Sequence, residues 1–192
     1  MLREIFTIAL MAALLLGVSG CASAPADRES PAAEPAAPKQ EARAQTTAVA
    51  GFLGSFTPDS VGEYSSEIKR TKDETSKKYR HKQSGGILMK IENASVFPRK
   101  VKAGEKADLR MTYALLGAAA GKDLTVVETR EIRYKGRLFG KFNAYISRGD
   151  GTYASSVALT LPPGAQKGRY RVILTVHTQK AIASRETFFY VN

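Results

Sequence analysis

The sequence predicts a mainly β protein: one antiparallel sandwich of about seven strands, preceded by a signal peptide, a disordered Ala/Pro-rich tether and one charged helix. Three observations carry this. From Ile87 onward apolar residues recur at every second position, which puts them on one face of an extended chain. Glycine and proline clusters interrupt these runs at short intervals, as turns require. The stretch from Ile87 to Asn192, about 105 residues, is long enough for one independently folding core between two sheets.

Residues 1–20 have Arg3 near the start, an apolar run from Ile5 to Val18 broken only by Thr7 and Gly17, and small residues before Cys21. That is the layout of a signal peptide. The run is shorter than the roughly 20 residues that cross a bilayer comfortably, so cleavage is favoured over a retained transmembrane helix. Cys21 is the only cysteine, and its flank Ala22-Ser23-Ala24-Pro25-Ala26 offers no large apolar residue to bury it. No disulfide can therefore form within the chain. The run Leu16-Gly17-Val18-Ser19-Gly20-Cys21 resembles the lipobox of bacterial lipoproteins. The resemblance implies acylation of Cys21 and a membrane anchor. Ala22, where that family uses aspartate for inner-membrane retention, implies sorting to the outer membrane, facing the periplasm.

Residues 21–47 read as the lipidated cysteine and a disordered linker, with Pro25, Pro31, Pro35 and Pro38 among Ala, Glu, Gln and Ser and no aromatic residue. An extended linker of this kind spans up to roughly 80 Å at about 3.1 Å per residue. Residues 48–84 read as a short apolar segment, with Phe52, Leu53 and Phe56 expected to dock on the folded domain, followed by a helix. Ser60-Val61-Gly62-Glu63 matches a capping box. Asp73 with Lys77, and Glu74 with Lys78, are favourable i,i+4 pairs, and Gly85-Gly86 is a stop, so the helix is expected from Ser60 to about Lys82. Its apolar face is only Val61, Tyr64, Ile68 and Tyr79, which describes a solvated helix over a small patch.

Residues 85–192 form the expected sandwich. Ala107, Leu109, Met111, Tyr113 and Leu115 alternate with mostly polar residues, and Tyr170, Val172, Leu174 and Val176 repeat the scheme. Further strands are expected at 87–93, 124–134, 138–147, 153–161 and 186–191, separated by turns such as Lys135-Gly136, Gly149-Asp150-Gly151 and Pro162-Pro163-Gly164. Val96-Phe97-Pro98, Asp150-Gly151-Thr152-Tyr153 and Gly168-Arg169-Tyr170-Arg171-Val172 resemble segments of bacterial immunoglobulin-like domains of the fibronectin and macroglobulin types. The last implies a tyrosine corner, with Gly168 and Tyr170 as structural residues: the Tyr170 hydroxyl would bond upstream backbone while its ring packs inside. The chain lacks tryptophan and the inter-sheet disulfide of antibody domains.

No catalytic residue, metal ligand set or cofactor motif emerges. His81 and His177 stand in no ligand spacing, Ser155-Ser156 lack a strand-turn-helix elbow, and Glu128 and Glu131 fall on opposite faces of one strand. Gly117 to Gly121 is not followed by the lysine and helix start of a phosphate loop. Charge is the remaining hint. Residues 85–192 hold 18 basic and 8 acidic side chains, 18 − 8 = +10 of the chain's +11. Arg130, Arg133, Lys135, Arg137, Lys141 and Arg148 cluster in two successive strands and are expected to form a face for anionic ligands. The competing reading is that they serve solubility alone. The sequence therefore points to a non-enzymatic lipoprotein of the bacterial envelope whose domain binds envelope proteins. The alternative is binding of anionic polysaccharide or lipid headgroups, while export and the lack of an aromatic-basic motif argue against nucleic acid.

Overall fold

The computed structural model describes residues 47–50, 60–82, 84–118 and 122–192, the first of these as backbone only. Cys21, the tether, and Phe52, Leu53 and Phe56 lie outside the described residues. Among the described residues no helix is long and apolar enough to cross a membrane.

Among the described residues, ten strands and one short helix follow in order: β1 (Thr47–Ala50), β2 (Val61–Arg70), α1 (Lys72–Tyr79), β3 (Leu88–Phe97), β4 (Lys100–Val101), β5 (Lys106–Leu116), β6 (Leu124–Tyr134), β7 (Arg137–Arg148), β8 (Gly151–Thr160), β9 (Gly168–His177) and β10 (Ile182–Val191). They pair into a six-stranded sheet, β1-β7-β6-β9-β10-β4, and a four-stranded sheet, β2-β8-β5-β3. All pairings are antiparallel except the short β10 to β4 contact. Named in immunoglobulin order, β3, β5 and β8 are A, B and E of one sheet, while β6, β9 and β10 are C, F and G of the other. β7 extends the second sheet beside C, as in variable-type domains, and β2 occupies the place beside E where constant-type domains put strand D. The chain is an Ig-like sandwich with two added N-terminal strands.

Alternation builds the core. Leu109, Tyr113 and Leu115 of β5 face Tyr170, Val172 and Leu174 of β9, and all six are fully buried. Tyr170 donates its hydroxyl hydrogen to the Gln166 carbonyl at 2.9 Å, and its ring stacks between Tyr134 and Phe189. Burial and the neighbouring Tyr134 push the Tyr170 pKa up to about 12. Gly168 has φ +139, and a Cβ there would lie 3.2 Å from the Tyr134 ring, so only glycine fits. Val172, two residues past the tyrosine, stands where antibody domains carry the second cysteine. The β6–β7 turn is Lys135-Gly136, with φ of 49° and 81°, the left-handed pair of a tight hairpin.

Residues 60–82 are not one helix, and this corrects the sequence expectation. Val61–Arg70 is an edge strand, and only Lys72–Tyr79 is helical. The capping box lies eleven residues later than the Ser60 match: Thr71 Oγ1 accepts from Glu74 N, and Glu74 Oε2 accepts from Thr71 N at 2.8 Å. Two register shifts break the period of β2, and its one covered face meets polar side chains, so it shows no apolar alternation. Consequently the sandwich begins well before Gly85.

One carboxylate fastens this region. Glu92, at the β3 bulge, accepts from Arg70 of β2 and from Tyr79 of α1 at 2.7 Å, with Lys78 at 3.0 Å. Burial opposes its ionisation, yet these donors hold its pKa at about 2 against an ordinary 4.5.

Candidate functional site

Of the six basic residues expected to share one face, Arg130 and Arg148 turn into the sandwich, which corrects that expectation. Arg130 has the parity of Val126, Ile132 and Tyr134, and Arg148 that of Phe142 and Ile146, all of them buried. Charged side chains tolerate such burial only with partners. Glu128, also fully buried, supplies them: its Oε2 accepts from Arg130 at 3.0 Å and Ser155 at 2.6 Å, and its Oε1 from Tyr113 at 2.9 Å and Tyr64 at 3.1 Å. Arg148 lies 4.0 Å from the same carboxylate, donates to Tyr64 at 3.0 Å and to Ser66, and stands 4.4 Å from the Tyr153 ring centroid. Burial and Glu128 push the Tyr64 hydroxyl up to about 12, and burial with the same carboxylate raises Tyr113 as well. Burial disfavours the Arg148 charge, but Tyr113, Tyr64 and Glu128 outweigh it and raise its pKa.

This cluster joins β6 and β7 of one sheet to β2, β5 and β8 of the other. Its geometry is that of a cross-brace, with the Glu128 carboxylate sealed from solvent. Among the described residues, Arg130 Nη1 and Arg148 Nε have no hydrogen-bond partner.

The other four residues, Arg133, Lys135, Arg137 and Lys141, lie on the outer side of the six-stranded sheet or at its hairpin tip. Register brings further residues to them that sequence reasoning missed. Arg133 lies opposite Arg171, and Arg171 opposite Phe188. Phe188 is flanked by Arg169 at 4.4 Å and Arg99 at 5.2 Å, with Tyr190 edge-on at 5.7 Å. Like charges directly across a sheet repel. Here Glu131 pairs with Arg133, and Glu186 lies 3.5 Å from Arg171, which offsets the repulsion without cancelling the excess. The missed signal was parity: Phe188 and Tyr190 alternate with inward Phe189, and Arg169 and Arg171 with inward Tyr170.

The histidines and serines stand apart from one another. His81 places a ring nitrogen 3.0 Å from the Gly86 carbonyl oxygen, and His177 lies on the outward side of β9. Ser155 points inward to Glu128 and Arg130, whereas Ser156 points outward to Ser65 at 2.7 Å. Among the described residues no group of three or more His, Cys, Asp or Glu is placed to hold a metal ion.

No family model matches the chain, and no curated protein matches it. Solved structures that resemble it include the DNA-bound alkylpurine DNA glycosylase AlkC of Pseudomonas fluorescens, at 18% identity and TM-score 0.40 over 54% of this chain and 30% of that one. A family 123 glycoside hydrolase from Clostridium perfringens aligns at 8% identity and TM-score 0.42 over 69% of this chain and 27% of that one. A CARDB domain from Pyrococcus furiosus aligns at 20% identity and TM-score 0.33, over 55% of this chain and 93% of the domain. This chain thus spans less than a third of the glycosylase and of the hydrolase. At these identities and TM-scores the likenesses do not bear on function.

Proposed function

We propose that this chain is a membrane-anchored, non-enzymatic binding module of the bacterial envelope, whose sandwich holds an acidic protein partner on the outer face of its six-stranded sheet. The observation that carries the reading is the arginine and aromatic surface of Arg99, Arg133, Arg169, Arg171, Phe188 and Tyr190. Arginine and tyrosine dominate the binding energy of protein interfaces, because each combines flat apolar area with directed hydrogen bonds. The net charge supports the reading through faster encounter with acidic partners. Acylation of Cys21 would hold the module at the outer membrane, and the tether would set its reach.

A photo-crosslinking residue placed at Arg171 in cells should capture an acidic envelope protein, whereas one at Thr112 on the opposite sheet should not. Equal capture from both positions would sink the assignment. The anchor has its own test: Cys21→Ser should release the protein from the membrane fraction, and unchanged fractionation with normal processing would refute lipidation.

A second reading, an anionic polysaccharide or lipid headgroup as ligand, is favoured by the exposed Lys135 and Arg137 at the hairpin tip. Binding to lipid A vesicles that persists undiminished at high salt would exclude that electrostatic mode.

A further inference from the structure

We infer that the outer face of the four-stranded sheet is a second binding site, a trough for a neutral oligosaccharide. The trough encloses about 580 Å³, and the register shows how it is built. One row across the four strands is Ser65, Ser156, Arg110 and Ser95, and the next is Glu67, Ala154, Thr112 and Asn93. Adjacent strands lie about 4.8 Å apart, so this floor is about 14 Å wide. Helix α1 closes one end, where Thr75 is fully buried and its hydroxyl lies 2.9 Å from that of Thr152. At the other end stands Phe97, 61% exposed, with the Arg110 guanidinium 5.0 Å from its ring centroid.

Charge and hydrogen-bond capacity select the occupant. Both sets of charges here are already matched within the protein, Glu67 with Lys69 at 2.5 Å and Arg110 with Asp108 at 2.7 Å, leaving the trough neutral on a strongly cationic chain. An anion gains nothing here that the six-stranded face does not offer more strongly. What the floor does offer is hydroxyl and amide groups that both donate and accept, from Ser65, Ser156, Ser95, Thr112 and Asn93. Backbone groups of the central strands β8 and β5 are paired on both sides, so an added peptide strand finds no open ladder over the floor. A sugar chain presents matching hydroxyls, together with an apolar C–H face suited to an exposed aromatic ring such as Phe97.

The test is calorimetric titration of the full chain with neutral tetrasaccharides of glucose and of N-acetylglucosamine. At least one should bind, with an affinity that changes little between low and high salt. Asn93→Ala combined with Thr112→Val should weaken that binding by about tenfold, the loss expected for one or two net hydrogen bonds. Arg171→Gln, on the cationic face, should leave it unchanged. Amide shifts on titration should concentrate in β2, β8, β5 and β3, a readout that does not depend on the variants folding. Absence of binding at millimolar sugar overturns the proposal. So does binding that maps to Arg171 and the six-stranded sheet.

Discussion

At the scale of single residues the molecule depends on one carboxylate more than on any cation. Glu128 faces Arg130 and Arg148, so the buried cluster carries one negative charge against two positive ones. Removing the carboxylate leaves two uncompensated guanidinium groups, whereas removing Arg130 leaves Glu128 with Arg148 still beside it. Breaking a buried pair from one side costs about 3–5 kcal/mol. Glu128→Gln should therefore destabilise by about that amount in urea unfolding, and Arg130→Met by clearly less. An equal or reversed order would mean that the Glu128 charge is not what organises the cluster. Tyr170 supplies a second residue-scale case. Tyr170→Phe keeps the stacked ring but deletes the bond to Gln166, so a loss of about 1 kcal/mol is expected. No change in melting temperature would show that the ring alone serves the corner. Both sites were legible in part. The Gly168-x-Tyr170 pattern announced the corner, while the inward arginines were concealed because arginine on a strand is ordinarily an outward residue, and only the parity that Arg130 shares with Val126 and Ile132, and Arg148 with Phe142 and Ile146, marks them.

At the scale of elements, legibility followed how many neighbours a strand has. β5 and β9 are central, each paired on both sides and facing the apolar core, so selection for packing wrote a clean period of two into their sequences. Among the described residues β2 has one neighbour, with two register shifts and a polar cluster beneath it, so nothing forces alternation, and its serines and charges imitate a solvated helix. Its unpaired edge is blunted by Glu63, Glu67 and Lys69, which discourages pairing with another chain. Glu92 is the clasp that holds the end of β2, α1 and the β3 bulge together. Its folded pKa of about 2 lies below the ordinary 4.5, so its contribution is present in full above about pH 5 and is lost as the pH falls toward 2. A depression of that size corresponds to roughly 3 kcal/mol, which solvent screening of this partly exposed group reduces to about 2 kcal/mol. Glu92→Gln should lower stability by roughly this much at pH 7 and flatten the acid side of the stability profile between about pH 5 and 2. If wild type and variant lose stability in parallel across that window, the clasp does not contribute as described.

At the scale of the whole molecule, the two sheets present unequal electrostatic surfaces, one cationic and one close to neutral over its trough. The outer side of the six-stranded sheet gathers Arg99, Arg133, Lys141, Arg169 and Arg171 against Glu131 and Glu186, while the trough of the other sheet pairs Glu67 with Lys69 and Arg110 with Asp108. This asymmetry gives the domain a preferred orientation toward an anion before contact, because the cationic sheet meets the longer reach of the field. Such steering weakens as the Debye length shrinks from about 30 Å at 0.01 M salt to about 8 Å at 0.15 M. Poly-glutamate is a suitable probe, since it supplies the charge without any particular shape. Its affinity for the full chain should fall at least about tenfold over that range of salt. Arg133→Gln with Arg171→Gln should lower the low-salt affinity and reduce the slope. Lys77→Gln with Lys82→Gln, which removes as much charge from α1 and the turn after it, should leave the slope nearly as steep. If the α1 variant changes binding as much as the sheet variant does, the positive charge acts as a diffuse property of the chain, and the six-stranded face has no claim to be its binding surface.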